Sequence, residues 1–539
     1  MKKNIILALL LTLTMILPLV GCSDGNQTSE NTSSEKVLTY SVIMDMPTLD
    51  QSLANSVESM TLISHIQEGL IRLHDGKVLP GIAKEWDISE DGLVYTFHLR
   101  DAKWSDGVDI TAYDFEYAIK RLVDPATASP YSFIAEPIKN AMKVNSGELG
   151  IEETGVKALD EKTLEITLEV PAPYFLSMLN MPHFYPVRKD LVEKYGQDFA
   201  SDPDKNVYCG PFVLNEWKHE DRLMLVKNQN YWNKDKVNLD KVNVIVVPDP
   251  NTALSMFENG ELDFVDVPSN LVEQYMDKAQ LYYNGADDFL KLNMDGTNPL
   301  KNKNLRLAIN YAIDREDYIN ITTNGLYDAA TRYVLPVVAG VDEKYGEEYP
   351  YEAFPLKADT NTAKECLNKA MAELGVSSPK DIKLELLTTD TDVSRIQAEV
   401  LQDQIQRNLG IVVNIKQVPY KQRLQMETNH EFQMVFSGWA PDYDDPHTYL
   451  CLWTTNSPYN HISYSNDKYD ELLEFSSTCR DPRERMDALF EAEKVLLEDG
   501  AIVPLQFRRV AWLMNPKVKG LVKSYVGPRE DYVYADIQE

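Results

Sequence analysis

The sequence predicts an α/β protein built as two lobes with a cleft between them, and three observations carry this. The chain has 539 residues, more than one hydrophobic core sustains, so two or three domains are expected. Its C-terminal half places a strand-like run, a long helix-like run and a second strand-like run in succession, which is the pattern of an α/β unit. Its N-terminal half carries further alternating strand-like runs with a helical stretch among them.

Taken in order, the first residues read as an export signal. Lys2 and Lys3 precede "IILALLLTLTMILPLV" (Ile5 to Val20), an apolar run too short to span a bilayer comfortably. It ends in "LVGC", which resembles a bacterial lipobox whose cysteine, here Cys22, becomes the lipid-bearing first residue. The bland alternative is a plain signal peptide with an incidental cysteine. Residues 1–21 are thus read as signal peptide and 22–34 as a tether, because "SDGNQTSENTSSEK" is polar and lacks hydrophobic periodicity. A lipid anchor of this kind would hold the protein at the outer face of the cytoplasmic membrane without spanning it.

"VLTYSVIM" (Val37 to Met44) follows as a strand. "LVYTFHLR" (Leu93 to Arg100) and "TLEITLEV" (Thr163 to Val170) alternate as half-exposed strands do. "TAYDFEYAIKRLV" has helical spacing, opens on Thr111 as a cap and stops before Pro125. Further on, "IKLELLTT" (Ile382 to Thr389) reads as a strand. The helix after it places Val393, Ile396, Val400, Ile405 and Leu409 along one stripe and stops at Gly410. "IVVNIKQV" (Ile411 to Val418) is the next strand, "RERMDALFEAEKVLLED" a helix, and "AIVPLQF" (Ala501 to Phe507) a last strand. Pattern alone does not order these strands in a sheet.

The formal charge of −31 argues against nucleic acid as a partner, since phosphate binding needs a basic footprint. Cys209, Cys366, Cys451 and Cys479 lie far apart, a spacing that suggests neither a disulfide scaffold nor a zinc site. No metal or cofactor is expected. No nucleophile elbow, zinc-protease, phosphate-loop or dinucleotide motif is present. His183 and His447, near aromatic or acidic residues, read as surface or hydrogen-bonded histidines. The chain is therefore expected not to be an enzyme.

One segment stands out. "SGWAPDYDDP" (Ser437 to Pro446) follows the strand-like "FQMVF". It is either a turn whose acids face water or a strand end that holds something positively charged.

A resemblance bears on that choice. "PGIAKEWDISEDGLVYTFHLRDAKWSDG" (Pro80 to Gly107) resembles the signature of solute-binding proteins of the peptide/nickel ABC transporter family. Matches continue in the same order with "DPATASPYSF", "VKALDEKTLEITLEVPAPYF", "GPFVLNEW", "NPLKNKNLRLAINYAIDRE" and "SGWAPDYDDP" itself. The likeness covers the mature chain and is strongest to the oligopeptide-binding branch. It implies a two-lobed, hinged, periplasmic-binding-protein-like fold with an extra small domain. Lobe I would comprise residues 35–67, 200–287 and 510–539, the extra domain 68–199, and lobe III 288–509.

The resemblance also implies a function: a monomeric, lipid-anchored receptor that captures oligopeptides and hands them to an ABC permease and its ATPase. Other ligands occur in such a family, namely nickel chelates, haem, sugars and signalling peptides. A secreted hydrolase or folding helper is the reading from a different class. Residue by residue, Asp442 would receive the peptide α-ammonium, since a partly desolvated carboxylate makes a charge-assisted bond to it. Gly438 and nearby main chain would bond the peptide backbone as an added strand does. Trp439 and Tyr443 would be wall or packing residues. Val57, Tyr131, Tyr420 and Phe507 match cleft positions, with core packing the alternative for each. Asp444 and Asp445 are left as solvated turn acids. Trp86, Trp104 and Gly107 read as structural. Three basic positions of the family are missing: Phe436 stands two residues before Gly438, with Ser394 and Thr322 or Thr323 at the others. Arg395, Arg508 and Arg509 are the cations that sequence cannot place. The expectation is that the amine end dominates recognition and the carboxyl end lies in water.

Overall fold

A computed structural model describes residues 35–538. The apolar run and Cys22 lie outside these residues. Eleven strands form one mixed sheet: β1 (Val37–Val42), β2 (Phe212–Lys218), β3 (Arg222–Lys227), β4 (Lys241–Val246), β5 (Phe264–Asp266), β6 (Gln280–Leu292), β7 (Asp328–Ala329), β8 (Lys383–Thr389), β9 (Val412–Val418), β10 (Met434–Trp439) and β11 (Ile502–Met514). Their order across the sheet is β9-β8-β10-β6-β11-β5-β1-β4-β3-β2, with β7 paired to β11.

The directions decide where a site can form. β1, β4 and β5 are parallel, as are β8, β9 and β10. β11 runs antiparallel to β5 and β6, and β6 antiparallel to β10. β5 therefore runs along β11 from Met514 toward Trp512, while β10 runs along β6 from Leu292 toward Asp287. The carboxyl ends of both parallel sets point at the same place, the middle of the β6–β11 pair. Crevices outside such ends are where α/β sheets bind ligands.

The middle of that pair is broken. Gln280–Tyr283 pair with Arg509–Trp512, and pairing resumes at Asp287 opposite Phe507, with a shift between. Gly285 lies in the break with φ +88, and a Cβ there would collide with the Tyr525 carbonyl oxygen and with Pro441. Only glycine fits this left-handed, crowded position. Past the break successive β6 side chains alternate between two cores: Phe289 packs with Tyr333 and Trp453, while Leu290 and Leu292 pack with Leu305 and Leu401.

Within residues 68–199 a separate antiparallel sheet takes the order Ala83–Ile88, Val94–Leu99, Thr163–Thr167, Val156–Asp160. The helix Ala112–Val123 starts where the sequence predicts, and the Asp114 carboxylate accepts from the Thr111 N–H at 2.8 Å. Trp104 is buried.

Two expectations about segments need correction. The helix Asp392–Leu409 buries Gln397, Ala398, Leu401, Gln404, Ile405 and Leu409, whereas Val393 and Ile396 are exposed. Gln404 is buried because it bonds both backbone groups of Asp314, accepting at 2.9 Å and donating at 3.1 Å. The last strand does not stop at Phe507 but continues to Met514. The four cysteines among the described residues are free thiols. Among these residues no cluster suited to a metal ion occurs, and no helix is long and apolar enough to cross a membrane.

Candidate functional site

The convergence of strand ends forms a cleft. On one side β1 runs into exposed Ile43 and Met44, and the helix α1 (Val57–Ile66) starts at Val57 under a Ser56 cap. On the other side β8 leads into α2 (Asp392–Leu409), β9 into α3 (Tyr420–Thr428), and β10 into the segment Ala440–Pro446. Val393, Ile396, Tyr420 and Leu424, at the starts of α2 and α3, are exposed apolar residues of this second wall.

Three of the residues expected to meet ligand come together. Asp442, Val57 and Tyr131 line one cavity of about 350 Å³, with Met60, Tyr282 and Arg529. Asp442 decides its chemistry. Its backbone N–H donates to Thr448 Oγ1 at 3.2 Å. Its carboxylate has no hydrogen bond or ion pair among the described residues, and burial pushes it up from 3.8 to about 6. A half-buried, desolvated acid with no internal partner is a candidate for pairing with an external cation. Tyr131 stacks on His183 with ring centroids 4.5 Å apart. Burial, and then the Asp442 charge, push its phenol up.

A second cavity, of about 290 Å³, adjoins the first and shares Val57 and Arg529 with it. It lies at the ends of β1 and β5, walled by Val42, Ile43, Val265 and Asp266. Arg529 is held by Asp266 and by Tyr282 Oη, which accepts from its Nε at 3.2 Å. Nothing in the sequence pointed to Met60, Tyr282 or Arg529; the partners of Arg529, Asp266 and Tyr282, lie more than 200 residues away in the chain.

Gly438 and Trp439 form the end of β10. They pair with Asp288 and Asp287 of β6. The other edge of β10 pairs with β8 only through Met434 and Val435, so among the described residues no strand covers that edge of Phe436–Trp439. The Trp439 N–H donates to Asp287 Oδ1 at 3.0 Å, and its ring meets Tyr459 edge-on at 5.4 Å. A Cβ on Gly438 would stand 2.5 Å from the Asp287 carbonyl oxygen, so the strand end tolerates no side chain there. Beneath it Glu427 accepts from Lys291 Nζ (2.6 Å), Arg423 Nη1 (2.7 Å) and Ser437 Oγ (3.2 Å), while Arg423 also donates to the Phe436 carbonyl at 3.0 Å. Burial raises the Glu427 carboxyl, but His461, Lys291 and Arg423 outweigh it and hold the group at about 2. This buried charge network fixes the strand end that faces the cleft.

The remaining expectations fall elsewhere. Tyr420 is exposed, with the Arg423 guanidinium 5.3 Å from its ring, and does not line the Asp442 cavity. Phe507 is buried in the core opposite Asp287. Tyr443 is buried and stacks on Tyr174 at 4.2 Å. Asp444 and Asp445 are not solvated turn acids. Asp444 accepts from Tyr525 Oη (2.5 Å) and the Ala339 N–H (2.8 Å); Asp445 takes both Nη groups of Arg485 at 2.8 and 2.9 Å. Distant partners compensate their burial, which local sequence cannot reveal. His183 and His447 are the hydrogen-bonded rather than the surface kind: both are buried, His183 Nε2 2.8 Å from the Ala54 carbonyl oxygen and His447 Nδ1 2.8 Å from Tyr443 Oη, and burial lowers both to about 4.

Comparison with known proteins adds to this geometry. The model of "Bacterial extracellular solute-binding proteins, family 5 Middle" matches residues 77–461. The dipeptide-binding protein DppE of Bacillus subtilis is 33% identical over 531 residues, 96% of each chain. Listeria monocytogenes OppA bound to peptide is similar at 34% identity with a TM-score of 0.70, covering 94% of this chain and 100% of that one. The periplasmic murein tripeptide-binding protein MppA, in its unliganded open form, is 27% identical with a TM-score of 0.83, covering 94% and 98%. Lower sequence identity thus accompanies higher structural likeness when the neighbour is open. The chain belongs to family 5 of the bacterial extracellular solute-binding proteins.

Proposed function

We propose that the chain is the ligand-capturing receptor of an ABC importer. It takes oligopeptides into the cleft between two lobes and delivers them to a membrane permease and its ATPase. In this reading residues 35–67, 200–287 and 510–539 make lobe I, 68–199 the extra domain and 288–509 lobe III. The broken β6–β11 pair is the hinge. The likeness to an open, unliganded relative supports treating this geometry as the open state, in which exposed Val393, Ile396 and Tyr420 await coverage on closure. The family is one of solute-binding receptors, which supports binding rather than catalysis. The lipobox-like "LVGC" supports anchoring through Cys22.

The observation that carries the reading is the partnerless carboxylate of Asp442 at the point where both sets of strands end. A peptide supplies one ammonium at a fixed end, and that bond sets register. The uncovered edge of Phe436–Trp439 supplies main-chain bonds that ignore side-chain identity. The test is mass spectrometry of ligand released from purified protein, followed by calorimetry. Peptides are the expected ligand, and N-acetylated copies should bind weakly. Recovery of a sugar, haem or metal chelate, with no heat on peptide titration, would refute the proposal.

A further inference from the structure

We propose that Arg508 receives the carboxylate of the bound peptide. The inference rests on the peptide reading above and deepens it. It also replaces the expectation that the carboxyl end lies in water.

Arg508 stands in β11 at the break opposite Asn284–Asp287. Its Nε lies 3.1 and 3.0 Å from the two carboxylate oxygens of Asp288, and its Nη2 2.6 Å from Oδ1. Asp288 is 1% exposed and also accepts from Gln506 Nε2 at 2.6 Å. The arginine is therefore anchored along one edge of its guanidinium. The other edge is open: Nη1 makes no hydrogen bond among the described residues, and the side chain is 40% exposed. A guanidinium fork has donors on both edges, so one edge can hold an internal acid while the other takes a second carboxylate.

Its place is what points to a ligand. Arg508 Nη2 lies 3.5 Å from where a Cβ would stand on Gly438. Gly438 belongs to the stretch of β10 that no second strand covers. The proposed peptide starts at Asp442 and runs toward Gly438, which would bring its carboxyl end to the open side of the guanidinium. The other basic groups are engaged differently. Arg509 is tied to Asp328 (2.9 Å) and to the Leu326 carbonyl (2.9 Å). Arg395 pairs with Glu399 (3.1 Å) and Asp392 (3.4 Å) on an exposed helix face. Arg529 lines the cavity that holds Asp442, at the amine end. Phe436, Ser394 and Thr322 or Thr323 bring no charge.

The experiment uses mixed-sequence peptide libraries of about three to six residues, prepared with free and with amidated carboxyl ends, long enough to pair as a strand. Affinities are ranked by competition and confirmed by calorimetry on the unmodified protein. Amidation is expected to weaken binding about tenfold or more, as the loss of a charge-assisted pair requires. Removing Arg508 alone leaves Asp288 buried and unpaired, so the variant is the double change Arg508→Gln with Asp288→Asn, checked by thermal melting. In it, free peptides should bind no better than amidated ones. Free and amidated peptides binding alike to the unmodified protein would overturn the role of Arg508 while leaving peptide binding intact. So would an amidation effect that survives in the double variant or disappears only in Arg529→Gln. Failure of every peptide to bind would instead overturn the peptide reading itself, and this inference with it.

Discussion

Asp442→Asn separates binding from stability, because the structure gives this group opposite effects on the two. Burial moves its carboxyl from 3.8 to about 6 with no internal partner. That difference corresponds to about 3 kcal/mol by which the folded site disfavours the charged form. The sign follows from proton binding. Between pH 4 and 6 the folded site holds a proton that the unfolded chain has lost, so this group's contribution to stability falls as pH rises through that window. Above about pH 6 the penalty is complete. The amide of the variant carries no charge, so the unliganded variant should be more stable than the parent at pH 7, by up to about 3 kcal/mol. Peptide binding should weaken by about 2–5 kcal/mol, since a desolvated ammonium loses its counter-charge. In the parent, an ammonium needs the ionised acid. Dissociation constants should therefore rise about tenfold from pH 7 to pH 5, with close to one proton released per peptide bound at pH 5. Calorimetry in buffers of different ionisation enthalpy reads both quantities, and N-acetylated peptides should show neither. A flat affinity from pH 5 to 7, or equal binding of free and acetylated peptides, would refute the reasoning.

Other expected outcomes follow from single features. Glu427→Gln leaves Lys291 and Arg423 buried without their counter-charge and should cost about 3 kcal/mol or more in chemical denaturation. In the parent, the group held at about 2 gives stability that is lost as pH falls from about 4.5 to 2, so the pH profiles of parent and variant should converge under acid. Gly285→Ala should strain the hinge at its positive φ, lowering the melting temperature and shifting the open–closed balance measured by small-angle scattering with and without peptide. Cys22→Ser should leave peptide affinity unchanged and release the protein from membranes on fractionation.

Local chemistry made much of the fold legible. Thr111 with Asp114, and Gly410 at φ +73, mark helix ends that need only a few neighbouring residues to be recognised. What stayed hidden depends on partners far along the chain. β11 runs on through Arg508 and Arg509, which look like the end of a strand until Asp288 and Asp328 are seen beside them. Gln404 interrupts an apolar stripe because its partner is the backbone of Asp314. At the candidate site, Asp442 and Gly438 were both named through the resemblance rather than from local chemistry. Asp444 and Asp445 carry the same local signal as Asp442 yet are compensated by Tyr525 and Arg485. Three neighbouring acids in one short segment thus differ only in what the rest of the chain brings to them.

The two strands that cross between the halves also dictate an order of assembly. Residues 287–507 form an unbroken stretch whose ends, Asp287 and Phe507, pair with each other in the sheet. That portion has its own two cores and can close as soon as it is complete. The portion that precedes it in the chain cannot. β5 finds its second neighbour only in Trp512–Met514, and the ring of Tyr532 fills the space beside Tyr40 and His65. The half synthesised first is therefore finished last. Until then one flank of its sheet stays open, so a chain cut short between Phe507 and Trp512 should carry a closed second half joined to a first half exposed to proteases.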